Sequence, residues 1–459
     1  MLWARASVEE PEEAQRKLKA ELLLDGSALL DMTALGVGDG ELAFGVDFLV
    51  REVQQRKLPY VSANLANEQG KLLFPAFRVV ESSGLRIGIT SVLSDKFSFP
   101  DAQVLPVSQS LRDALAVLKD KEKVELVVLL SHLGLPEDKA LAKQFPSIDL
   151  IFGGHSRSHQ EEPLLVGTTA IMQAGSRGKH LGEVTIELRE GAVGWFDPEA
   201  GERSARQRKR FELQLKRFEQ QLENMAPDDA QGRARLERVR GFTEKKLADL
   251  AVVPEQVGIS NLLRSRKVAM DRKIADHAPM QALVDAALEK MGPDAHSSSG
   301  HDHHGHDHHG HAHHDHGVHG AGRPHAAKKT TREYGDFVGA KICMACHRAI
   351  YDDWMTTRHA HAYGTLVADK RHFDLDCWSC HVTGAGKPGG PSGPYDVGTM
   401  RNVQCEACHG PGRKHIADPT AVDMVRNPGE AHCKSCHSDE QTDSRFVYEE
   451  YLPKVDHKP

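Results

Sequence analysis

The motif Cys-x-x-Cys-His occurs four times in the last quarter of the chain. The four copies are Cys343-Met-Ala-Cys346-His347, Cys377-Trp-Ser-Cys380-His381, Cys405-Glu-Ala-Cys408-His409 and Cys433-Lys-Ser-Cys436-His437. The sequence contains eight cysteines, and these four motifs use all of them. Any chemistry assigned to the cysteines must therefore also explain the histidine that follows each pair.

The spacing of the motif predicts covalent haem. Two cysteines three residues apart can each form a thioether with one vinyl group of a haem, and the next residue then supplies an axial imidazole to the iron. Zinc sites also use Cys-x-x-Cys pairs, but zinc does not require a histidine directly after the second cysteine. Histidine accounts for 28 of 459 residues, so four such placements by chance would be rare, and a disulfide framework would leave them unexplained. We expect four haems attached through the eight cysteines, with proximal ligands His347, His381, His409 and His437.

Each iron also has a second axial position. A second histidine there gives a low-spin electron carrier, whereas an open position allows ligand binding or catalysis. The candidate histidines for this position, all outside the motifs, are His359, His361, His372, His415, His432 and His457. For His372 and His432 the sequence favours a plainer interpretation as exposed polar residues.

The region around the motifs resembles the tetrahaem cytochrome c family typified by the electron acceptor of hydroxylamine oxidoreductase. The resemblance covers residues 334–459 and rests on Trp-Met-Thr-Thr-Arg-His-Ala at 354–360, Asn-Val-Gln-Cys-Glu-Ala-Cys-His-Gly-Pro-Gly-Arg-Lys-His at 402–415, Phe-Val-Tyr at 446–448 and the late His457. It implies a mainly α-helical domain packed around its haems at 331–459, with one five-coordinate haem and distal ligands His359, His415 and His457. His361, two residues from His359, remains an alternative to it. The resemblance also implies electron exchange with redox partner proteins in the periplasm or cell envelope.

Residues 1–195 alternate predicted strands with predicted helices, as in a layered α/β domain. The run Val-Glu-Leu-Val-Val-Leu-Leu at 124–130 is typical of a strand that is buried on both faces. His132 follows one strand and His155 follows the next, where α/β folds place their ligands. The predicted strands are 58–65, 85–93, 124–130, 148–152, 168–173 and 183–188, and the predicted helices are 8–24, 45–56, 108–119 and 136–144.

This region resembles the metallophosphoesterase domain of 5′-nucleotidases. The resemblance covers residues 15–190 and rests on Gly-Asp-Gly-Glu at 38–41, Ser-Ala-Asn-Leu at 62–65, Ser-His-Leu-Gly at 131–134, Gly-Gly-His-Ser at 153–156 and the glycine-rich stretch at 173–182. It implies a site for divalent metal such as Zn, Mn or Ni, where two ions activate water and clamp a phosphate. The residues that match metal ligands are Asp39, His132 and His155.

Three departures from the family pattern favour an inactive scaffold. Gly40 stands where the family has its catalytic histidine, and Arg157 stands where it has the second histidine of Gly-His-x-His. The first strand, with its Asp-x-His, is absent. The alternative function is a metal-dependent phosphohydrolase of the 5′-nucleotidase type, whose haem domain senses redox state or docks a partner.

Residues 200–292 predict a helical hairpin between these two regions. Apolar residues recur at heptad spacing on an otherwise charged helix, Pro227 ends that helix, and further helices are predicted at 232–250 and 280–291. The hairpin would either space the two domains or form a dimer. The apolar positions are Phe211, Leu215, Phe218, Leu222 and Met225.

A histidine-rich segment, 293–330, precedes the haem domain. Thirteen histidines lie between His296 and His325, among too few apolar side chains for the segment to fold, so we expect a disordered linker. Clustered imidazoles bind Zn, Ni or Cu. The tract would therefore either handle metal or serve only as a flexible connection, and a metal-handling protein centred on it is a third functional hypothesis.

Length and charge limit the remaining functions. A chain of 459 residues predicts two or three domains, and a net charge of −7 gives no basis for nucleic-acid binding. No apolar run approaches the length of a membrane-spanning helix, and residues 1–20 contain no apolar core of a signal peptide. Because the resemblance implies haem attachment outside the cytoplasmic membrane, we expect an upstream segment that carries an export signal and could attach the protein to the membrane. The sequence thus predicts an exported multihaem cytochrome that carries electrons.

Overall fold

The computed structural model describes residues 10–157, 160, 162–225, 230–248, 250, 259–271, 273–292, 335–394, 396–420, 424–442 and 446–457. These residues form two compact units. The first comprises Arg16–Met280 and Asp439–Arg445, and the second comprises Glu10–Gln15, Gln281–Ser438 and Phe446–Pro459. The predicted histidine-rich linker at 293–330 lies outside the described residues.

Residues 10–292 alternate helices and strands over most of their length. In chain order the elements are α1 (Glu10–Leu29), β1 (Leu35–Gly36), α2 (Val46–Arg56), β2 (Tyr60–Val61), β3 (Leu65–Ala66), β4 (Phe77–Ser82), β5 (Leu85–Leu93), β6 (Gln103–Val104), α3 (Val107–Ala116), β7 (Leu126–His132), α4 (Leu135–Gln144), β8 (Leu150–Gly153), β9 (Leu164–Val166), β10 (Thr169–Met172), β11 (His180–Glu187), β12 (Trp195–Phe196), α5 (Ala200–Glu223), α6 (Ala230–Ala248), β13 (Asn261–Ala269) and α7 (Ala278–Met291). A 3₁₀ turn, Asp39–Leu42, follows β1.

The first unit is built on a six-stranded sheet in the order β4-β5-β7-β8-β10-β9. The four central strands are parallel to their neighbours, and β4 and β9 pair antiparallel at the two edges. The central strands consist of nearly continuous apolar residues because both faces of the sheet are covered. The carboxyl ends of β7 and β8 therefore meet at one edge of the sheet.

Helices cover one face of this sheet and a smaller sheet covers the other. On the helical face, Leu111 of α3 and Leu141 of α4 pack in one cluster with Leu129 of β7. On the opposite face, Leu126 of β7 packs in a second cluster with Leu263 of β13. Each fully buried leucine contributes about 1.5–3 kcal/mol relative to an exposed one, so both layers stabilise the central strands.

The smaller sheet has the order β11-β13-β12, and β13 pairs antiparallel with β11 from Leu262 to Ala269. Trp195 of β12 donates a hydrogen bond from its indole nitrogen to the carbonyl of Asp149 at 2.9 Å, which ties this sheet to the larger one. After α5 and α6 the chain therefore returns to this smaller sheet as β13. The sequence predicted only helices in 200–292, so β13 departs from that expectation. Its charged side chains such as Arg266 face solvent, while Leu262 and Leu263 are buried against the rest of the unit.

Helices α5 and α6 contact each other. The five apolar residues of the predicted heptad seam on α5 are all buried or half-buried, and most of the residues between them are exposed. The connection between the two helices, 226–229, lies outside the described residues. Whether this pair of helices joins two copies of the chain stays a prediction.

Residues 335–457 form short helices with long connections, as a mainly α-helical haem domain requires. In chain order the helices are α8 (Ala340–Cys343), α9 (Arg348–Met355), α10 (Ala362–Ala368), α11 (Leu375–His381), α12 (Cys405–His409), α13 (Arg413–Ala417), α14 (Glu430–Lys434), α15 (Asp439–Thr442) and α16 (Tyr448–Tyr451). The apolar core of the second unit is small and centres on Met400 and Trp378. None of the described helices is long and apolar enough to cross a membrane.

Candidate haem sites and a candidate metal site

Each of the four motifs includes a short helical turn. In the first motif the backbone N–H of His347 donates to the carbonyl of Cys343 at 2.9 Å, and in the fourth the N–H of His437 donates to that of Cys433 at 2.8 Å. Residues three and four apart lie on the same side of such a turn. The two sulfurs and the imidazole of one motif can therefore reach a single haem. All eight cysteines are free thiols.

Three of the four motif histidines face a histidine from outside the motifs. Two imidazoles that bind opposite sides of one metal at about 2 Å have ring centroids about 6 Å apart. The observed separations match this value, so each pair fits one iron with two axial imidazoles. The pairs are His347 with His415 at 6.3 Å, His437 with His359 at 6.1 Å and His409 with His457 at 5.6 Å.

The remaining motif histidine, His381, has no such partner in the part of the chain that the structure describes. Its Nδ1 lies 2.7 Å from the carbonyl oxygen of Ala362. His409 is held in the same way, with its Nδ1 2.5 Å from the carbonyl oxygen of Val425. A carbonyl at Nδ1 places the proton of a neutral imidazole there and leaves Nε2 free to bind a metal. His381 is therefore oriented to bind a metal through Nε2, and no histidine among the described residues faces it.

The other three candidate histidines are placed differently. His361 uses its Nε2 in a hydrogen bond with the carbonyl of Met355 at 3.0 Å, so His359 rather than His361 faces a motif histidine. His432 is exposed, as expected, and its Nε2 lies 2.7 Å from the carbonyl of Ala407. The expectation of an exposed His372 is wrong, because His372 is half-buried with its ring centroid 3.8 Å from that of Phe373.

In one of the three pairs, burial lowers the pKa of both histidines. It lowers the pKa of His359, and the charge of His437 lowers it further. Burial also lowers the pKa of His437. Neutral imidazole is the form that binds a metal, so this pair is in the correct protonation state for an iron.

The four motifs lie in two adjacent pairs. The thiols of Cys343 and Cys405 lie close together, and their interaction, followed by burial, raises the pKa of Cys343 while the same interaction lowers that of Cys405. The thiol of Cys436 hydrogen-bonds with that of Cys380, which together with burial raises the pKa of Cys436. The first motif is therefore next to the third, and the second is next to the fourth.

Apolar side chains beside these histidines are exposed in the polypeptide. Ile342 is 50% exposed next to Cys343, and Ile416 is 46% exposed next to His415. Val425, whose carbonyl holds His409, is 51% exposed. The apolar faces of a haem would cover side chains in these positions. The donor set, the histidine spacing and the apolar surroundings thus all fit haem.

In the first unit, Asp39, His132 and His155 converge. One ligand atom from each lies within 4.8 Å of the others. The Nε2 of His132 is 2.7 Å from Oδ1 of Asp39, and the Nδ1 of His155 is 3.2 Å from the same Nε2. Two imidazoles and one carboxylate form a donor set that divalent transition metals accept.

The fold explains why these three residues meet. His132 ends β7, His155 follows β8, and Asp39 begins the 3₁₀ turn after β1. Phe97 covers the cluster, with its ring centroid 6.1 Å from that of His132 and 5.5 Å from that of His155. Gly38 leaves room for it, because a Cβ at this position would lie 2.8 Å from Cε1 of His132.

The protonation states of the cluster suit a metal. A hydrogen bond with His132 lowers the pKa of Asp39 by more than burial raises it. Burial lowers the pKa of His155, and the nearby His132 adds to the effect. An ionised carboxylate and a neutral imidazole are the forms that bind a divalent ion.

The described residues fit one metal ion and do not complete a two-metal centre. Gly40 offers no side chain, and Arg157 offers a cation where a second histidine would be needed. Glu41 is buried and its Oε2 accepts a hydrogen bond from the N–H of Gly38 at 3.0 Å. The amide of Asn64 is engaged by the backbone of Leu93, at 2.7 Å and 2.9 Å.

The sequence reasoning missed one buried group beside this cluster. Asp138 on α4 is fully buried and accepts a hydrogen bond from the hydroxyl of Ser131, the residue before His132. Burial raises the pKa of Asp138 to about 6. An aspartate in the first turn of a helix usually faces water, so the local pattern carried no signal of its burial.

Comparison with known proteins relates the C-terminal region to one family. The family described as cytochrome c554 and c-prime matches residues 342–410. The match includes the first three motifs together with His359. The chain therefore contains a region of cytochrome c554 type.

The N-terminal region is similar to nucleotide phosphoesterases. A 5′-nucleotidase of Vibrio cholerae is 25% identical over 315 residues, which cover 60% of this chain and 56% of that protein. An apyrase of Tabanus yao is 34% identical over 142 residues, 28% of this chain and 25% of that protein. A 5′-nucleotidase precursor structure from Thermus thermophilus matches with 24% identity and a TM-score of 0.34, covering 38% of this chain and 39% of that one. The chain thus spans about half the length of the Vibrio enzyme and a quarter of the apyrase.

Proposed function

We propose that this protein is an exported c-type cytochrome that carries electrons through four covalently bound haems. The observation that carries the proposal is the pairing of three motif histidines with three histidines from outside the motifs, at 5.6 Å to 6.3 Å between ring centroids. Pairs of imidazoles hold iron in the low-spin state that suits electron transfer. Zinc bound to the Cys-x-x-Cys pairs would give these distal histidines no role.

The proposal assigns a ligand set to every haem. Three haems have two axial histidines, and the haem of the second motif has His381 alone. Bound haem supplies the reversible one-electron chemistry of its iron, and the chain orients the imidazoles that set its potential. The assignment of haem ligands is His347 with His415 for the first motif, His381 for the second, His409 with His457 for the third and His437 with His359 for the fourth.

The adjacency of the motifs supports a path for electrons within the second unit. The thiol of Cys343 lies near that of Cys405, and the thiol of Cys380 lies near that of Cys436. Haems attached at neighbouring sulfurs would have their edges close together. Electrons would then pass within two haem pairs, the first motif with the third and the second with the fourth, and the protein would exchange them with redox partner proteins.

The same proposal predicts that haem holds the second unit together. Its apolar core is small, and side chains such as Ile342 and Val425 are exposed in the polypeptide. Covering them with haem supplies the burial that the chain itself lacks. Haem-free protein should therefore show little of the helix of residues 335–457 by circular dichroism, and a helix content equal to that of the haem-bound protein would contradict this.

Electron uptake tests the proposed function directly. The protein would be exported from a host with haem-maturation machinery and titrated coulometrically. Four electrons per chain should enter, and an oxidised dye should recover all four. Uptake of fewer electrons, or uptake that cannot be reversed, would contradict a four-haem carrier.

The first unit supports a second candidate function, a metal-dependent phosphohydrolase. The supporting observation is the convergence of Asp39, His132 and His155 within 4.8 Å. Against it stands the absence of a side chain at Gly40, so we favour an inactive scaffold that retains one metal site. Release of phosphate from a nucleotide with added Mn²⁺ or Zn²⁺, abolished by His132→Ala, would support the hydrolase. No release from wild-type protein with either ion would leave the scaffold as the better account.

A further inference from the structure

Glu406 lies between the two cysteines of the third motif and is only 1% exposed. Its carboxylate accepts hydrogen bonds from three backbone N–H groups. None of the ion pairs among the described residues includes Glu406, so N–H groups rather than a cation hold this buried charge. The donors are Val338, at 2.9 Å to Oε1 and 3.1 Å to Oε2, Gly339, at 2.7 Å to Oε2, and Gly412, at 2.7 Å to Oε1.

The three donors belong to two segments that carry the ligands of one haem. Val338 and Gly339 lead directly into α8, at whose end Cys343 begins the first motif. Gly412 directly precedes α13, which carries His415. The ring of His415 faces that of the first motif's histidine at 6.3 Å. One carboxylate therefore joins the proximal and distal sides of this haem site.

Gln404 extends the same junction. Its Oε1 accepts a hydrogen bond from the N–H of Ala340 at 2.5 Å, and its Nε2 donates to the carbonyls of Thr399 and Arg401 at 2.7 Å and 2.8 Å. Three consecutive N–H groups, 338–340, are thus held by side chains from the segment that enters the third motif. The first and third motifs are locked together by buried hydrogen bonds as well as by their adjacent thiols.

The charge of Glu406 reaches the attachment points of two haems. The Sγ of Cys343 lies 3.7 Å from the carbonyl oxygen of Gly339, whose own N–H donates to Glu406 at 2.7 Å. Glu406 also directly follows Cys405 in the chain. A buried anion stabilises ferric haem over ferrous haem, because the ferric form carries one more positive charge and the surroundings screen it poorly.

We propose that Glu406 is a positioning residue for electron transfer. It fixes both axial histidines of the haem at His347, and its charge lowers the reduction potentials of that haem and of the haem at His409. This inference rests on the proposed four-haem function. A single residue inside one attachment motif would in this way match the potentials of two adjacent haems.

The test compares Glu406→Gln, Glu406→Asp and a matched control in haem-bound protein. The control is Glu430→Gln, which removes an exposed carboxylate that pairs with Lys434 beside the fourth motif. Spectroelectrochemical titration reports the potentials, and electron paramagnetic resonance reports the spin state. These readouts do not move when a variant is merely less stable.

In Glu406→Gln we expect two haems to have higher reduction potentials. At the wild-type midpoint of each, the ratio of reduced to oxidised haem should rise about tenfold, which is 59 mV for a one-electron couple. One additional haem should become partly high-spin. Glu406→Asp keeps the charge on a shorter side chain. The spin state of one haem should therefore change, while the ratio of reduced to oxidised haem at the wild-type midpoints changes by less than about threefold. Glu430→Gln should change neither.

A four-haem Glu406→Gln protein with the potentials and spin states of Glu430→Gln would overturn the proposal. If Glu406→Gln does not take up four haems, Gly412→Ala decides, because its Cβ would lie 3.2 Å from Oε1 of Glu406 and press on the carboxylate without removing its charge. An added high-spin haem in that variant supports the positioning role, and wild-type spectra overturn it. Failure of the wild-type chain to bind four haems would instead contradict the proposed function.

Discussion

Replacing His359 by alanine should convert one haem from low-spin to high-spin and leave that haem attached. His359 faces His437 with ring centroids 6.1 Å apart, and burial holds it in the neutral form that binds iron. The haem of the fourth motif would keep its two thioethers and its proximal His437. Only its distal ligand would be lost, so the change is confined to one axial bond.

The structure sets the size of this effect. Three histidine pairs and one unpaired His381 predict three low-spin haems and one high-spin haem in the wild-type protein. Loss of one pair gives two of each, so the high-spin fraction should double, from one quarter to one half of the total iron. Electron paramagnetic resonance of the oxidised protein measures both fractions, and intact mass confirms that four haems remain.

His361 provides the matched control, because it lies two residues away and its Nε2 bonds to the carbonyl of Met355 instead of facing a motif histidine. His361→Ala should keep the wild-type high-spin fraction. If His361→Ala doubles that fraction and His359→Ala does not, the ligand assignment drawn from the ring pairs is wrong. If neither variant changes the spectrum, the fourth haem does not use this segment.

Three further predictions concern the first unit. Asp138 has a pKa of about 6 in the folded protein against 3.8 in the unfolded chain, so the folded state holds an extra proton between these values and loses stability as the pH rises through them. A shift of about two pKa units corresponds to about 3 kcal/mol. Asp138→Asn should therefore unfold at a higher temperature than wild type at pH 8 but not at pH 4. Calorimetry measures these unfolding temperatures, and equal temperatures at pH 8 would mean that the carboxyl is exposed. Gly38→Ala should abolish zinc binding at the site of Asp39, His132 and His155, because its Cβ would lie 2.8 Å from Cε1 of His132. Calorimetry would measure this binding in protein lacking residues 296–325. An unchanged zinc affinity would argue against the three-residue site. Leu263→Ala should lower the free energy of unfolding by about 2–5 kcal/mol, and a loss below about 1 kcal/mol would mean that β13 does not seal the central sheet.

Most of the proposed haem ligands could be named from the sequence. The proximal residues follow from bond spacing alone, because the sulfurs and the imidazole must reach one ring. The distal residues needed a family resemblance, since nothing in the local sequence tells His359 from His361. The structure separates them through one hydrogen bond, that of His361 with the carbonyl of Met355, which depends on how the chain turns before α10.

The first unit was predicted well where burial dominates. Strand β5 has the bounds that the apolar run at 85–93 predicted, and the core strands β7, β8 and β10 lie within two residues of theirs. Strands β1, β4, β6, β9, β12 and β13 were missed, and the single strand predicted at 58–65 is two short strands, β2 and β3. The missed strands lie at the edges of the central sheet or in smaller sheets, where local pattern competes with tertiary pairing.

The contacts that join distant segments could not have been predicted from the sequence. A glutamate between the two cysteines of a haem motif is expected at the surface, yet Glu406 is buried against Val338 and Gly412. Asp138 has the position of a helix-start residue facing water, yet it is buried beside Ser131. Glu406 depends on partners 67 and 68 residues away as well as one six residues away, and Asp138 depends on a partner seven residues away. Local periodicity does not encode such partners.

The number of covalent haems tests the central claim most directly. Protein exported from a host with haem-maturation machinery would be analysed by intact mass and by the reduced pyridine-haemochrome spectrum. We predict four haems per chain, each attached by two thioethers. A chain without haem that carries zinc at its cysteines would contradict the account, and the phosphoesterase-like unit would then become the best guide to function.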